Sequence, residues 1–464
     1  MSRIKTDICV IGAGSGGLSV AAGAVQMGAR VVLVEGHKMG GDCLNYGCVP
    51  SKALLAQAKA VAARGASPTE ADFSAAMAHV RATIAAIAPH DSVERFEGLG
   101  VQVIEGYARF TSPSEIEVEG QTITARRFVI ATGSRAAIPP IPGLEDVPYM
   151  TNETLFDQTA CPGHLLIIGA GPIGLEMAQA HRRLGARVTV IEGAQALARE
   201  DPEAAALVVA ELRRDGVEIV EQARIEAVSG RAGAIEIRVR GGTIFTGTHL
   251  LVATGRVPNL ERLALDKAGI AHTSREITVD ARLRSTNRRV HAIGDVAGQG
   301  QFTHLAGYHA GVVIRAMLFG LPAKARHDHI PRVTYTEPEL AQIGLDLAAA
   351  RKTFGAGVSE HRVGYDQLDR AQATGQTTGF LKLIVAKGRP VGVTIVGAQA
   401  GELIAPFALV MANRMKLSAI AGTVLPYPTL AEICKRAAGA YFSPKLFDNM
   451  NVKRVVRAVQ RWLP

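Results

Sequence analysis

From Ile8 a short apolar run breaks at glycines, gives way to a stretch of mixed small and apolar residues, and closes in a second apolar run ending at Glu35. The same succession returns further on. Residues 8–35 read ICVIGAGSGGLSVAAGAVQMGARVVLVE and residues 165–192 read LLIIGAGPIGLEMAQAHRRLGARVTVIE, matching without a gap at the constant offset of 157 that separates Gly12 from Gly169. Each copy predicts a buried parallel strand, a glycine turn, a helix and a second strand, VVLVE or VTVIE. At the other end of the chain Val452, Val455, Val456 and Val459 recur at helical spacing, with Lys453, Arg454, Arg457 and Arg461 on other faces. This predicts a terminal helix. The reading adopted is a solvated helix packed on the body, with a membrane-binding or partner-binding helix as the alternative.

At 464 residues the chain is too long for one core and implies about three domains. Apolar residues at 48% and charged residues at 20%, with 49 glycines, fit a folded α/β protein and exclude a disordered one. No segment approaches the roughly 20 uninterrupted apolar residues of a membrane span, and the N-terminus does not read as a signal peptide. The net charge of +9 is spread along the chain, so no nucleic-acid partner is expected, and membrane contact is not expected outside the basic C-terminal helix. Five cysteines give no disulfide scaffold and suggest a reducing compartment with one special pair. The cytoplasm is the expected location.

The chemistry of the repeated unit follows from its glycines. Gly12, Gly14 and Gly17, and again Gly169, Gly171 and Gly174, form GxGxxG. The first permits the tight turn, the second lets a pyrophosphate approach the backbone, and the third lets helix and strand pack closely. The helix N-terminus then meets the phosphates with unpaired N–H groups and the positive end of its dipole. Glu35 and Glu192, at the ends of the second strands, are placed to accept hydrogen bonds from a ribose. A single GxGxxG is weak evidence, because such turns occur without ligands. Its duplication with strand, helix and glutamate is strong evidence, and two bound dinucleotides are expected.

Between the first unit and the next helix stands Gly40-Gly41-Asp42-Cys43-Leu44-Asn45-Tyr46-Gly47-Cys48-Val49-Pro50-Ser51-Lys52. Pro50 suits a first helical turn and so places Cys48 at a helix N-terminus, where a thiolate is stabilised. A disulfide between Cys43 and Cys48 would close a small loop and could cycle without unfolding anything. The bland alternative is two buried structural thiols. Cys9 is expected in the core, and Cys161 and Cys434 have no near sequence partner.

With these motifs the sequence resembles the class I pyridine nucleotide-disulfide oxidoreductases, the family of dihydrolipoamide dehydrogenase, glutathione reductase and mercuric reductase. The likeness includes Ala131-Thr132-Gly133, Ala253-Thr254-Gly255-Arg256 and His291-Ala292-Ile293-Gly294-Asp295. It implies an α/β fold with two Rossmann-like dinucleotide-binding domains and an α+β C-terminal interface domain that makes a homodimer. The expected segments are FAD-binding 1–147, NAD(P)-binding 148–265, a central segment 266–330 completing the FAD site, and interface 331–464. By the same likeness Cys48 lies against the flavin and Cys43 exchanges with substrate, while Lys52 pairs with Glu176 beside the flavin. Asp295 holds the ribityl chain, and a helix from Thr303 points its positive end at the flavin. Ser15, Gly41, Lys52, Thr132, Gly133 and His304 complete the FAD side, and Gly255 the nicotinamide side. FAD and NAD(H) are the implied cofactors, with NADH expected over NADPH because Glu192 would repel a 2'-phosphate. No resident metal is expected. For Lys52 and Glu176 a simple surface salt bridge is the alternative.

The sequence departs from the pattern at one point. Where dihydrolipoamide dehydrogenase and glutathione reductase carry His-Pro followed by a glutamate, and use the histidine of the partner subunit as acid and base, this chain reads Leu425-Pro426-Tyr427-Pro428-Thr429-Leu430-Ala431-Glu432. Mercuric reductase resembles it in having tyrosine there, but adds a C-terminal cysteine pair that this chain lacks. Tyr427 and Glu432 remain candidates for the chemistry, Tyr46 and Asp42 for the substrate mouth, and His304 for supplying a proton. The expected function is electron transfer from NADH through FAD to Cys43/Cys48 and on to a small disulfide or soft metal ion as the small-molecule acceptor. The alternatives are a diaphorase or quinone reductase using the flavin directly, and a dihydrolipoamide dehydrogenase-type component of a multienzyme complex.

Overall fold

A computed structural model describes residues 2–463. The chain divides into two compact units, one made of the residues up to Ala194 together with Val217–His327, the other of Gln195–Gly216 together with the chain from Asp328 onward.

The first unit holds both expected nucleotide folds. In the first, the parallel strands run in the order Gln102–Glu105, Val31–Glu35, Arg3–Ile11, Gln121–Ile130, with Ile8 opposite Val31 and Ile11 opposite Ile130. Val290–Ala292 pairs in parallel with the end of Gln121–Ile130, and Glu115–Val118, followed by Arg109–Ser112, pairs antiparallel with its beginning along the same edge. Ile8–Ile11 and Val31–Val34 are buried without alternation, as befits parallel strands covered on both faces. One face carries the core around Phe110, Phe128, Ile116 and Ile123, the other that around Val10, Leu33, Val129 and Val312. The helices Ser15–Gln26 and Thr303–Leu318 pack together on the second face.

The second copy forms Glu218–Val220, Arg187–Ile191, His164–Ile168 and His249–Val252, all parallel in that order, with Pro172–Arg183 as its glycine-turn helix. Ser134–Ala136 and Arg256–Pro258, where the chain leaves the two folds, pair antiparallel with each other.

The second unit is built on a five-stranded antiparallel sheet in the order Pro331–Thr334, Glu339–Gly344, Arg389–Gly397, Gly379–Ala386, Val358–Gly364. Tyr365 and Phe407 are fully buried in its core, with Ile433, Cys434, Ala437 and Ala438 of the helix Glu432–Phe447. The architecture is thus two Rossmann-like folds plus an α+β C-terminal part.

The terminal helix is present as Met450–Trp462, but it does not pack on the body as expected. None of its residues is buried, and Val455 and Trp462 are 63% and 87% exposed. The valine spacing gives a stripe, and a stripe alone does not supply a surface to cover it.

Candidate functional site

The two glycine turns are alike to within a few tenths of an ångström. Gly12 and Gly169 take φ of 105° and 108°, in the left-handed region, and a Cβ on either would lie 2.4 or 2.5 Å from the carbonyl oxygen of Ala131 or Ala253. A Cβ on Gly17 or Gly174 would lie 1.8 or 2.0 Å from the carbonyl oxygen of Gly12 or Gly169. The middle glycines differ from these. A Cβ on Gly171 would meet nothing within 4 Å, and one on Gly14 would only touch the Cα of Gly41 at 4.0 Å. The first and third glycines are therefore required by the protein, and the second faces the space a pyrophosphate would enter.

The glutamates do something the sequence reading missed. Glu35 Oε2 accepts from Ala13 N at 2.6 Å and its Oε1 from His37 N at 2.8 Å. Glu192 repeats this, with Oε2 accepting from Ala170 N and Oε1 from Ala194 N, each at 2.8 Å. Each carboxylate ties its glycine turn to its second strand, and its remaining lone pairs are free to accept from a ribose.

Cys43 lies in the short helix Gly41–Asn45, and Cys48 begins the helix Cys48–Ala63. Both thiols are free. Cys48 Sγ is 3.2 Å from Thr303 Oγ1, and Thr303 begins the helix Thr303–Leu318, so the sulfur stands at the N-terminal ends of two helices. A hydrogen bond from Cys43 lowers the Cys48 pKa to about 6, helped by Thr303 and the charge of Lys52 and opposed by burial. The Cys43 thiol moves the other way, raised by that same hydrogen bond and by burial. Cys48 is nevertheless solvent-accessible.

Lys52 Nζ lies 2.7 Å from Glu176 Oε2, joining the cysteine helix to the glycine-turn helix of the second fold. The Glu176 side chain is 5% exposed and that of Lys52 38%, so this is no surface salt bridge.

Sequence reasoning also missed the polar chain at the paired exits. Asp42 Oδ1 accepts from Asn152 Nδ2 at 2.8 Å and stands 3.0 Å from Arg256 Nη2. Arg256 donates from Nε to Ser134 Oγ at 2.7 Å, and Ser134 Oγ donates in turn to Asp295 Oδ2. Burial pushes the Asp295 carboxyl up, and Ser134 and Arg256 oppose that. Thr132 Oγ1 donates to Asn259 O at 2.8 Å, and Gly133 O accepts from Asn259 N at 2.9 Å. Arg256 ends the Ala253–Arg256 motif, yet only the antiparallel pairing of two exits 122 residues apart reveals its partner. His304, in the first turn of the Thr303 helix, stacks on Phe302 at 5.3 Å. Tyr46 Oη is 2.7 Å from His37 Nε2, with Lys38 Nζ 4.9 Å from its ring centre.

Tyr427 and Glu432 lie in the second unit. Tyr427 is 68% exposed and donates its hydroxyl to Asp369 Oδ2 at 2.5 Å. Glu432 begins the helix Glu432–Phe447, and its Oε2 is buried with no hydrogen-bond partner among the described residues. Nothing in the sequence pointed to Asp369, which lies 58 residues from Tyr427.

The family model described as pyridine nucleotide-disulphide oxidoreductase matches residues 6–310, and the one described as the dimerisation domain of the same family matches residues 330–438. The chain belongs to this family. It is 33% identical over 455 residues to a mercuric reductase from Acidithiobacillus ferrooxidans, covering 94% of this chain and 83% of that protein. It is 32% identical over 460 residues to a dihydrolipoyl dehydrogenase from Geobacillus stearothermophilus, covering 94% and 96%. Among solved structures, the Cu(II) complex of the HOCl-induced flavoprotein disulfide reductase RclA from Escherichia coli superposes with a TM-score of 0.84 at 28% identity, over 93% of this chain and 99% of that one.

As a pyridine nucleotide-disulfide oxidoreductase the chain is an FAD-containing enzyme that uses NAD(P)H. Its residues fit both groups. The open side of Gly14 and the N-terminus of Ser15–Gln26 suit the FAD pyrophosphate, and Gly171 with Pro172–Arg183 suits that of the nicotinamide nucleotide.

Proposed function

We propose that this oxidoreductase draws on NADH and reduces a small disulfide or a soft metal ion through Cys43 and Cys48. The observation that carries the reading is the asymmetry of the pair: Cys48 is biased to the thiolate and Cys43 to the thiol that donates to it. FAD, when bound, supplies the two-electron link between nicotinamide and this dithiol. Cys48, Lys52, Glu176, Asp295 and Thr303 are the residues that would hold its reactive end. Towards a disulfide, Cys43, having passed its proton to solvent, attacks one sulfur to form a mixed disulfide and expels the other half as a thiolate, Cys48 remaining a thiolate. Cys48 then attacks the Cys43 sulfur and releases the second half, and two protons complete two thiols. Oxidation of the dithiol yields two electrons, enough for one disulfide or one two-electron metal ion. A dithiolate is also a natural chelate for a soft cation, which agrees with relatives named mercuric reductase and a similar structure solved as a Cu(II) complex.

The dimerisation domain supports a homodimer, and the proposal gives Tyr427 and Glu432 the task of serving the partner's cysteines. The segments 1–147, 148–265, 266–330 and 331–464 are proposed as its functional domains. Among the described residues no helix is long and apolar enough to cross a membrane. The deciding assay sets purified holoenzyme and NADH against small disulfides, Hg(II), Cu(II) and quinones, with Cys43→Ser in parallel. The proposal expects turnover with a disulfide or metal ion that collapses in Cys43→Ser. Turnover with quinones only, undiminished in that variant, assigns the chemistry to the flavin directly and overturns it.

A further inference from the structure

The helix Met450–Trp462 begins at a side-chain cap, Asn449 Oδ1 accepting from Asn451 N and Val452 N, and continues with no buried residue. It therefore holds its shape locally while its apolar side stays uncovered. Val452, Val455, Val456 and Val459 share that side with Trp462, and Val455, Val456 and Val459 are 63%, 47% and 45% exposed. Lys453, Arg454, Arg457 and Arg461 occupy the opposite side, and residues 449–464 include no acidic residue. The match to the dimerisation domain ends at residue 438, so the helix lies outside the part of the chain shared with that domain.

We propose that this helix lies flat on an anionic phospholipid surface, valines and Trp462 turned into the headgroup boundary and the four cations towards the lipid phosphates. Charge complementarity selects this occupant. A second copy covering the valines would bring a second set of four cations close to the first with no acid in the segment to offset them. Nucleic acid would satisfy the cations and leave the valines wet. An anionic bilayer answers both faces, and an exposed tryptophan at the edge of the apolar side suits the interface.

Trp462 is the one tryptophan in the sequence, so protein emission on tryptophan excitation reports this helix. FAD-loaded full-length enzyme is titrated with vesicles of phosphatidylcholine, with and without phosphatidylglycerol. The proposal expects a blue shift and co-sedimentation with the anionic vesicles, reversed by high salt. Arg454→Gln, Arg457→Gln and Arg461→Gln together weaken binding about a hundredfold, near fivefold for each charge. Val455→Asp with Val459→Asp abolishes the shift. All five positions are exposed, so these variants keep the fold and NADH-linked turnover. No shift with anionic vesicles, or an equal shift with phosphatidylcholine alone, overturns the proposal. So does a lipid-free shift that grows with protein concentration, which assigns the face to a second copy.

Discussion

The Cys48 sulfur lies 3.2 Å from the Thr303 hydroxyl, and each residue is the first of its helix although they stand 255 positions apart. The fold thus aims two helix N-termini and a hydroxyl at one thiol, with Lys52 one turn along.

This predicts how the reduced enzyme titrates. A pKa lowered to about 6 means the thiolate is present above that pH and is lost as pH falls through it. Two-electron reduction under anaerobic conditions should give a long-wavelength thiolate-to-flavin absorbance that fades with a midpoint near 6. Cys48→Ser should remove the band, and Thr303→Val should move the midpoint up by about 1 pH unit. A band that persists in Cys48→Ser would show that another donor faces the flavin.

Replacing Lys52 tests the ion pair at 2.7 Å from Glu176. Loss of a fully buried partner typically costs about 3–5 kcal/mol, and since Lys52 is 38% exposed, Lys52→Met should cost about 1–3 kcal/mol by denaturant unfolding of the holoenzyme. It should also raise the midpoint of the thiolate band, because the ammonium charge favours the Cys48 thiolate. A surface salt bridge would give neither effect, so unchanged stability together with an unchanged midpoint refutes the structural role.

Glu192 carries the nucleotide prediction. Its carboxylate closes the glycine turn through Ala170 N and Ala194 N and would meet a 2'-phosphate with like charge. NADH should therefore exceed NADPH in kcat/KM, and Glu192→Gln should narrow the gap chiefly through the KM for NADPH. Equal or better kcat/KM with NADPH in the unaltered enzyme contradicts the reading.

Much of this site was legible because it is built from local motifs. The GxGxxG turns, the terminal glutamates and the cysteine helix each fall within about thirty residues, where strand period, glycine chemistry and helix capping act directly. The Lys52–Glu176 pairing came only from the family likeness. What stayed hidden depends on contacts the fold makes between distant segments: Ser134 between Arg256 and Asp295, Asp42 beside Asn152, and Asp369 under Tyr427. The terminal helix failed for the opposite reason. Its valine spacing is local and correct, but whether a stripe is covered is a property of the rest of the surface, which spacing does not describe.

The proposed place of Tyr427 opposite the partner's cysteines carries a prediction for dithiol oxidation. Taking a proton from an incoming thiol at neutral pH requires a base, and histidine, with a pKa near 6.5, can serve where tyrosine, near 10, remains protonated. The structure strengthens that contrast. Tyr427 already donates its proton to Asp369 at 2.5 Å, and the carboxylate raises the phenol further above its ordinary value. A phenol so engaged accepts no proton at pH 7. Dihydrolipoamide oxidation should therefore run well below the roughly 10 per second of a median enzyme, and Tyr427→His should raise it with a pH dependence set by the imidazole. Asp369→Asn should lower the tyrosine pKa without creating a base at neutral pH, so it should leave the slow rate unchanged. Steady-state oxidation of dihydrolipoamide by the three proteins across pH 6 to 9 separates these outcomes. A fast unaltered enzyme would mean that a group other than residue 427 removes the proton.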